Sequence, residues 1–327
     1  MTGLSDSFNR PINYLRLSIT DRCNLRCIYC MPPEGINLTD RPDVLNFDEI
    51  FELVAAAASM GITKVRITGG EPLVRLGIVD LVKMLSRIKE IDDLCLTTNG
   101  LLLGKYAAEL KAAGLRRVNI SLDSLKPDKF KMITRGGGLR KVLEGIKTAR
   151  EVGLVPVKVN MVVLKGINDD EIVDFGRKTI RPGWNVRFIE LMPFGEQEVT
   201  AGRLVSVTEI KQRLSVLGPL EAVDGTGGGG PARYYRFPKA NGTVGFISPV
   251  TEHFCISCNR LRMTATGMLR PCLLQDQEVN LRDPLRRGAS REELAEMFKK
   301  VAMCKPEGHN LAQGMIPKNR SMTEVGG

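Results

Sequence analysis

The sequence predicts an α/β fold. About six βα units form a parallel sheet, open or curled into an incomplete TIM-type barrel, and a smaller C-terminal α+β extension follows. Three observations carry this reading. Strand-like and helical segments alternate through the first two thirds of the chain, at the roughly 25- to 50-residue spacing of βα units. The helical segments close on glycines, as helix ends do. After about Leu217 the alternation gives way to shorter strands.

The six strand runs fall at 14–19, 64–68, 94–98, 117–121, 157–163 and 186–191. Between the first two, Asn46 can cap a helix, and Glu49 three residues later completes a capping box. Phe47, Ile50, Phe51 and Val54 then share one face, and Gly61 stops the helix. Gly114 and Gly153 read as further stops. Right-handed βα crossovers place a site at the C-terminal ends of such strands. The glycine-rich stretch 224–231 lacks the Lys-Ser/Thr of a phosphate loop and no helix follows it, so it reads as a plain loop. Short strands come next, and then a helix from about 290 to 303. The natural division is 1–217 for the βα units and 218–327 for the extension.

With 327 residues and 43% hydrophobic content the chain can bury a core, which excludes general disorder. No apolar run approaches the roughly 18–20 residues of a membrane helix. Residues 1–7 lack the basic and apolar regions of a secretory signal. A cytoplasmic protein with no membrane role is expected. The net charge is +10, but aromatics are only 5% with a single Trp. Stacking platforms for oligonucleotides need rings, so the charge points to a phosphorylated small molecule and not to nucleic acid.

Eight cysteines sharpen the reading. Cys23, Cys27 and Cys30 follow the first strand, and Cys255, Cys258 and Cys272 lie in the extension. Cys95 and Cys304 have no partner at metal spacing and read as buried small hydrophobes. A disulfide framework belongs to short secreted chains, so two metal sites in a reducing compartment fit better. Three thiolates at x3 and x2 spacing suit a cubane iron–sulfur cluster that keeps one iron open. Structural zinc usually takes four protein ligands at longer spacing. On spacing alone the second triad fits either a cluster or a zinc knuckle closed by His253.

Cys23-x3-Cys27-x2-Cys30 after the first strand, with Gly69-Gly70-Glu71-Pro72 after the second, resembles the radical S-adenosylmethionine enzymes. The resemblance implies that Tyr29 lies near the adenine of S-adenosylmethionine and that the Gly70 segment holds its amino group. The string 245–255, Cys258-Asn259-Arg260-Leu261-Arg262 and 267–273 resembles, more narrowly, the GTP 3′,8-cyclases of molybdenum cofactor biosynthesis. The likeness runs from Arg16 to the terminal Gly326-Gly327, leaving out the 225–230 stretch.

That resemblance implies a second [4Fe–4S] cluster on Cys255, Cys258 and Cys272, with its open iron facing guanine and His253 beside it as a packing residue. It implies GTP contacts at Arg260, Leu261 and Arg262 and at Thr97, and S-adenosylmethionine contacts at Ser121 and Met192. Arg260 and Arg262, with the Gly326-Gly327 tail reaching in, would be catalytic. The residues themselves add an argument. Arg16, Arg66 and Lys158 sit within strands of one sheet, where an interior charge is costly unless an anion meets it. Arg forks and Lys charges suit a polyphosphate, and the resemblance places the triphosphate of GTP there, helped by Arg187 and Lys64.

The implied reaction makes (8S)-3′,8-cyclo-7,8-dihydroguanosine 5′-triphosphate from GTP, a lyase step. The resemblance also implies a flavodoxin-like or ferredoxin-like electron donor, hand-over to a cyclic pyranopterin monophosphate synthase, and a homodimer. Two alternatives stand beside it. One is a radical S-adenosylmethionine peptide modifier with an auxiliary cluster. The other is a zinc-containing RNA-binding protein.

Overall fold

The computed structural model describes residues 3–193, 202–225, 229–311 and 316–326. Part of the glycine-rich loop (226–228) and Gly327 lie outside the described residues.

Six parallel strands appear where the sequence places them: β1 (Tyr14–Ser18), β2 (Lys64–Thr68), β3 (Asp93–Thr98), β4 (Arg117–Ser121), β5 (Lys158–Val163) and β6 (Asn185–Glu190). Their crossovers carry α1 (Phe47–Ser59), α2 (Ile78–Leu85), α3 (Leu103–Ala112), α4 (Pro127–Thr134), α5 (Leu139–Glu151) and α6 (Ile172–Ile180). The Asn46–Glu49 capping box forms in full. Gly61, Gly114 and Gly153 follow their helices at positive φ, the left-handed conformation that ends a helix.

The later part of the chain holds α7 (Val207–Leu214), β7 (Glu221–Val223), β8 (Arg233–Arg236), β9 (Thr243–Ile247), β10 (Arg260–Met263), β11 (Met268–Arg270) and β12 (Val279–Asn280). Next come α8 (Arg282–Arg286), α9 (Arg291–Met303) and α10 (Met322–Val325). These strands do not build a layer of their own. They extend the same sheet at both edges, in the order β12-β11-β10-β1-β2-β3-β4-β5-β6-β9-β8-β7. β10 pairs parallel with β1 and β9 parallel with β6, so eight neighbouring strands run parallel. Antiparallel hairpin strands finish each edge.

The alternation of side chains divides the sheet into two faces. Leu15, Leu17, Val65, Ile67, Leu96, Val118, Ile120, Val159, Val186 and Phe188 are wholly buried in the main core. Ile50, Leu53, Leu81, Val82, Leu110, Val142 and Phe175 of the helices belong to that same core. Each such side chain contributes about 1.5–3 kcal/mol through burial, which fixes the register, since a one-residue slip would turn polar neighbours into the core. Those neighbours, among them Arg16, Arg66, Thr97, Asn119, Asn160 and Arg187, line the other side. No helix among the described residues is long and apolar enough to cross a membrane.

Candidate active site

Two adjoining cavities occupy the polar side. Thr97, Asn160, Ile189 and Met192 line both and form the wall between them.

The first cavity is built around the loop after β1. The Cys27 carbonyl accepts from the amides of Cys30 (2.9 Å) and Met31 (3.2 Å), which curls the loop. Arg26 and Ile28 donate their amides to Thr134 and Ile133 at the end of α4, both at 3.0 Å. The Gly69-Gly70 pair crosses directly beneath. A Cβ on Gly70 would stand 2.4 Å from the Arg22 carbonyl oxygen, and one on Gly69 2.5 Å from that of Thr20. The glycines are therefore demanded by the approach of the cysteine loop backbone as well as by any ligand. Gly70 and Glu71 donate their amides to Thr20 and Arg22, at 2.7 and 2.8 Å. The Glu71 carboxylate accepts from Leu73 N (3.0 Å), Thr98 Oγ1 (2.7 Å) and Asn99 N (2.7 Å), tying the ends of β2 and β3 together. Burial lifts its pKa to about 7 against those hydrogen bonds.

Cys23, Cys27 and Cys30 line this cavity together with Tyr29, Gly70, Ser121 and Met192, the four residues singled out for S-adenosylmethionine. Asp123, which the sequence reading missed, accepts a 2.7 Å hydrogen bond from the Tyr29 hydroxyl. Burial pushes its carboxyl up to about 6. Burial likewise raises the Cys23 thiol to about 11 and the Cys27 and Cys30 thiols further. Three free, crowded thiols at a cavity wall suit a metal centre whose positive charge takes them as thiolates. Among the described residues no group of His, Cys, Asp and Glu converges closely enough for a single metal ion. A cubane, with its ligands at separate corners, takes thiolates spread more widely.

The second cavity is strongly cationic. Arg16, Arg66, Arg187, Arg260, Arg262 and Lys305 line it, and no Asp or Glu among the described residues does. The pairing register explains the convergence: Arg262 on β10, Arg16 on β1 and Arg66 on β2 lie side by side. Burial, with Arg66 and Arg260 nearby, brings Arg16 down to about 10 even though Tyr14 opposes the shift. Burial and the charges of Arg16 and Arg260 press Arg262 down as well. Arg66 donates to the Tyr14 hydroxyl, while its Nη1, Thr97 Oγ1 and Asn119 Oδ1 are buried with no hydrogen-bond partner among the described residues. Buried polar atoms left unpaired are costly, and these three belong to residues that line this cavity.

Cys255, Cys258 and Cys272 also line it, with free thiols. Burial would raise the Cys258 thiol, but the charges of Arg260 and Lys305 outweigh it and bring the thiol down to about 6. His253 packs edge-on against His309, with ring centroids 5.2 Å apart. The only two histidines of the chain thus meet at this wall.

The tail enters between the cavities. α10 opens on a Ser321–Glu324 capping box. Met322 and Val325 pack with Leu274, Cys30, Cys272 and Met192. The Gly326 carbonyl accepts from Arg16 Nη2 (2.9 Å), Arg16 Nε (3.2 Å) and Arg262 Nη1 (3.0 Å). Gly327 lies outside the described residues.

Some residues fall elsewhere. Leu261 alternates with its arginine neighbours, so its side chain is buried in the main core and only its backbone is left to face a ligand. Lys158 is buried beside the Tyr234 ring, its Nζ 5.4 Å from the centroid, and is absent from the cavity lining. Lys64 also lies off the lining. Arg270 is fully buried and bonds Glu278 and Asn319, bracing the segment ahead of the tail. Cys95 is buried as expected, whereas Cys304 is exposed, because it caps the C-terminus of α9 on the surface. Asn119 and Asn160 were findable, since a polar residue inside a parallel strand carries the signal that exposed Arg16 and Arg66. Lys305 and His309 carried no such pattern.

The chain matches the model of the radical SAM superfamily over residues 17–178 and that of Molybdenum Cofactor Synthesis C over residues 184–311. It is 53% identical over 325 residues to a GTP 3′,8-cyclase of Heliobacterium modesticaldum, covering 98% of this chain and 99% of the relative. It is 49% identical over 326 residues to one of Pelotomaculum thermopropionicum, covering 99% and 100%. Among solved structures, Streptococcus suis SuiB bound to the precursor peptide SuiA shares the fold. The TM-score is 0.63 at 15% identity, over 94% of this chain and 74% of that one.

Proposed function

Because the chain belongs to the GTP 3′,8-cyclase family of radical S-adenosylmethionine enzymes, we propose that its two cavities divide one reaction between them. The reaction converts GTP to (8S)-3′,8-cyclo-7,8-dihydroguanosine 5′-triphosphate, the first step of molybdenum cofactor biosynthesis, and uses two [4Fe–4S] clusters and S-adenosylmethionine. Cys23, Cys27 and Cys30 would hold one cluster, and Cys255, Cys258 and Cys272 the other. When bound, the first cluster and S-adenosylmethionine supply the radical chemistry that activates the C3′–H bond of GTP.

The protein's part is placement. Tyr29, Gly70, Ser121 and Met192 hold S-adenosylmethionine in the first cavity. Arg16, Arg66 and Arg187 grip the triphosphate in the second, where charge-assisted bonds from arginine forks are strong. Lys158, on β5 next to the strand of Arg187, adds charge from outside the lining. Arg260 and Arg262 hold the nucleotide near the second triad, and Thr97 in the shared wall contacts it from the side of S-adenosylmethionine. Gripping GTP at both ends presents its ribose to the wall and limits the geometries a reactive species can meet. The observation that carries this reading is the cavity that six cations and, among the described residues, no Asp or Glu line, and that shares a wall with the first thiol triad.

The finer architecture follows from the same reading. The eight parallel strands form an incomplete barrel, and the division at 217/218 sets the S-adenosylmethionine residues and the triphosphate grip apart from the second triad with Arg260 and Arg262, although the sheet is continuous. A flavodoxin-like or ferredoxin-like donor supplies electrons, the product passes to a cyclic pyranopterin monophosphate synthase, and the enzyme works as a homodimer. Free thiols at both triads suit the reducing cytoplasm. Full-length family membership displaces the peptide-modifying and zinc-containing RNA-binding alternatives.

Anaerobic reconstitution tests the assignment. About eight irons per chain are expected, with formation of the cyclised nucleotide from GTP, S-adenosylmethionine and a reductant, detected by mass. Zinc without iron, or eight irons with no GTP-dependent product, overturns it.

A further inference from the structure

Two buried cations outside the nucleotide grip converge on the backbone of the second cysteine triad. Arg10, 7% exposed, forms a 2.6 Å ion pair with Asp6. Its Nη1 donates to the carbonyls of Cys255 (2.7 Å) and Glu307 (2.8 Å), and its Nη2 to Pro306 (2.5 Å). One side chain from the N-terminal segment thus joins the first ligand of the triad to the stretch that follows α9. Lys305, 4% exposed, heads that stretch. Its Nζ donates to the carbonyls of Arg260 (2.9 Å) and Pro271 (2.8 Å). Arg260 stands two residues after Cys258, and Pro271 immediately precedes Cys272.

The charge balance of the two differs. Asp6 neutralises Arg10. Among the described residues Lys305 has two carbonyl acceptors and no carboxylate in ion-pair range, although a buried ammonium costs several kcal/mol unless compensated. It also lines the cavity with the three thiols, and an ammonium has a third N–H to give. A cluster held by three thiolates is the negative group that this cation lacks.

We propose that Arg10 and Lys305 are positioning residues for the second metal centre: together they pin the backbone at or beside its three cysteines, and Lys305 adds to the positive charge that Arg260 turns toward the centre. The inference rests on the reading of Cys255, Cys258 and Cys272 as cluster ligands. Hydrogen bonds and net charge set the potential of an iron–sulfur cluster. Removing a nearby cation favours the oxidised state and drives the potential negative.

The test uses the chain with Cys23, Cys27 and Cys30 all replaced by Ala, so that only the second centre remains. Reconstituted anaerobically, it should hold about four irons. No iron in this parent overturns the ligand reading itself, and the proposal with it. Adding Lys305→Met should lower iron content at least twofold and move the remaining cluster to a more negative potential in an EPR-monitored titration. Lys305→Arg should recover both toward the parent. Arg10→Gln should lower iron content at least twofold. Four irons and an unchanged potential in Lys305→Met overturn the proposal. A merely structural lysine would disturb both centres. Lys305→Met in the otherwise intact chain must therefore keep the spectral response of the first cluster to S-adenosylmethionine, and loss of that response overturns the proposal as well.

Discussion

Replacing Gly326 with alanine should undock the tail, and the structure sets the scale of the effect. Gly326 has φ +68°, in the left-handed region, where a Cβ costs about 1–2 kcal/mol. That Cβ would also stand 2.3 Å from Thr68 Cγ2, so the backbone must shift. The Gly326 carbonyl is what Arg16 and Arg262 hold. Losing even one such charge-assisted bond costs about 1.5–3 kcal/mol. Together these give roughly 2.5–5 kcal/mol, about a 60- to 4000-fold fall in the docked population at about 1.4 kcal/mol per tenfold. Hydrogen exchange at the α10 amides should accelerate accordingly, and cyclised product should fall while iron content and GTP binding stay near wild type. Thr68→Ser removes the obstructing methyl, so the Gly326→Ala/Thr68→Ser pair should recover much of the docking and leave only the left-handed cost. Full product formation by Gly326→Ala, or no recovery in the pair, would show that the tail does not act through this contact.

Three other predictions concern the cavities. Cys27→Ala should abolish cleavage of S-adenosylmethionine, whereas Cys258→Ala should keep some cleavage but lose cyclised product; wild-type cleavage in both would refute the division of roles. Arg66→Ala should weaken GTP binding by about 1–3 kcal/mol and Lys158→Ala by less, with binding of S-adenosylmethionine unchanged; anaerobic calorimetry showing undiminished GTP affinity in both would remove the phosphate grip. Asp123 has its carboxyl raised to about 6 by burial, so folding favours its neutral form. Its contribution to stability is full below about pH 4 and is lost as pH rises through 6, about 3 kcal/mol in all. Asn can accept from Val162 N and donate to Tyr29, so cluster-free Asp123→Asn should lose less stability than wild type between pH 4 and pH 8 in urea unfolding. Equal losses would refute the assignment.

How far the sequence disclosed this depended on distance along the chain. Strand runs and the Asn46–Glu49 cap are short-range patterns, and the structure reproduces them nearly residue for residue. The pairing of β10 with β1 and of β9 with β6 joins segments far apart in sequence, and nothing local announces it, so the extension read as a separate α+β body. Interior charges on Arg16 and Arg66 stood out because a parallel strand has no cheap place for them. The core-facing side chain of Leu261 did not show, because a motif names neighbours without saying which face each takes. Lys305 and Arg10 act on backbone carbonyls, and an acceptor that every residue owns leaves no mark on a pattern of side chains.

The placement of β10 against β1 also bears on how the protein is made. β1 carries the first cysteine loop at its end, yet one of its edges is covered only by a strand at Arg260–Met263. At roughly 5–20 residues per second, synthesis of the intervening stretch takes on the order of 10–50 s. Throughout that interval the nascent chain exposes an open strand edge, a template for wrong pairing, beside three unliganded thiols. Chaperone cover during translation, and cluster delivery timed to follow chain release, are what this topology asks of the cell.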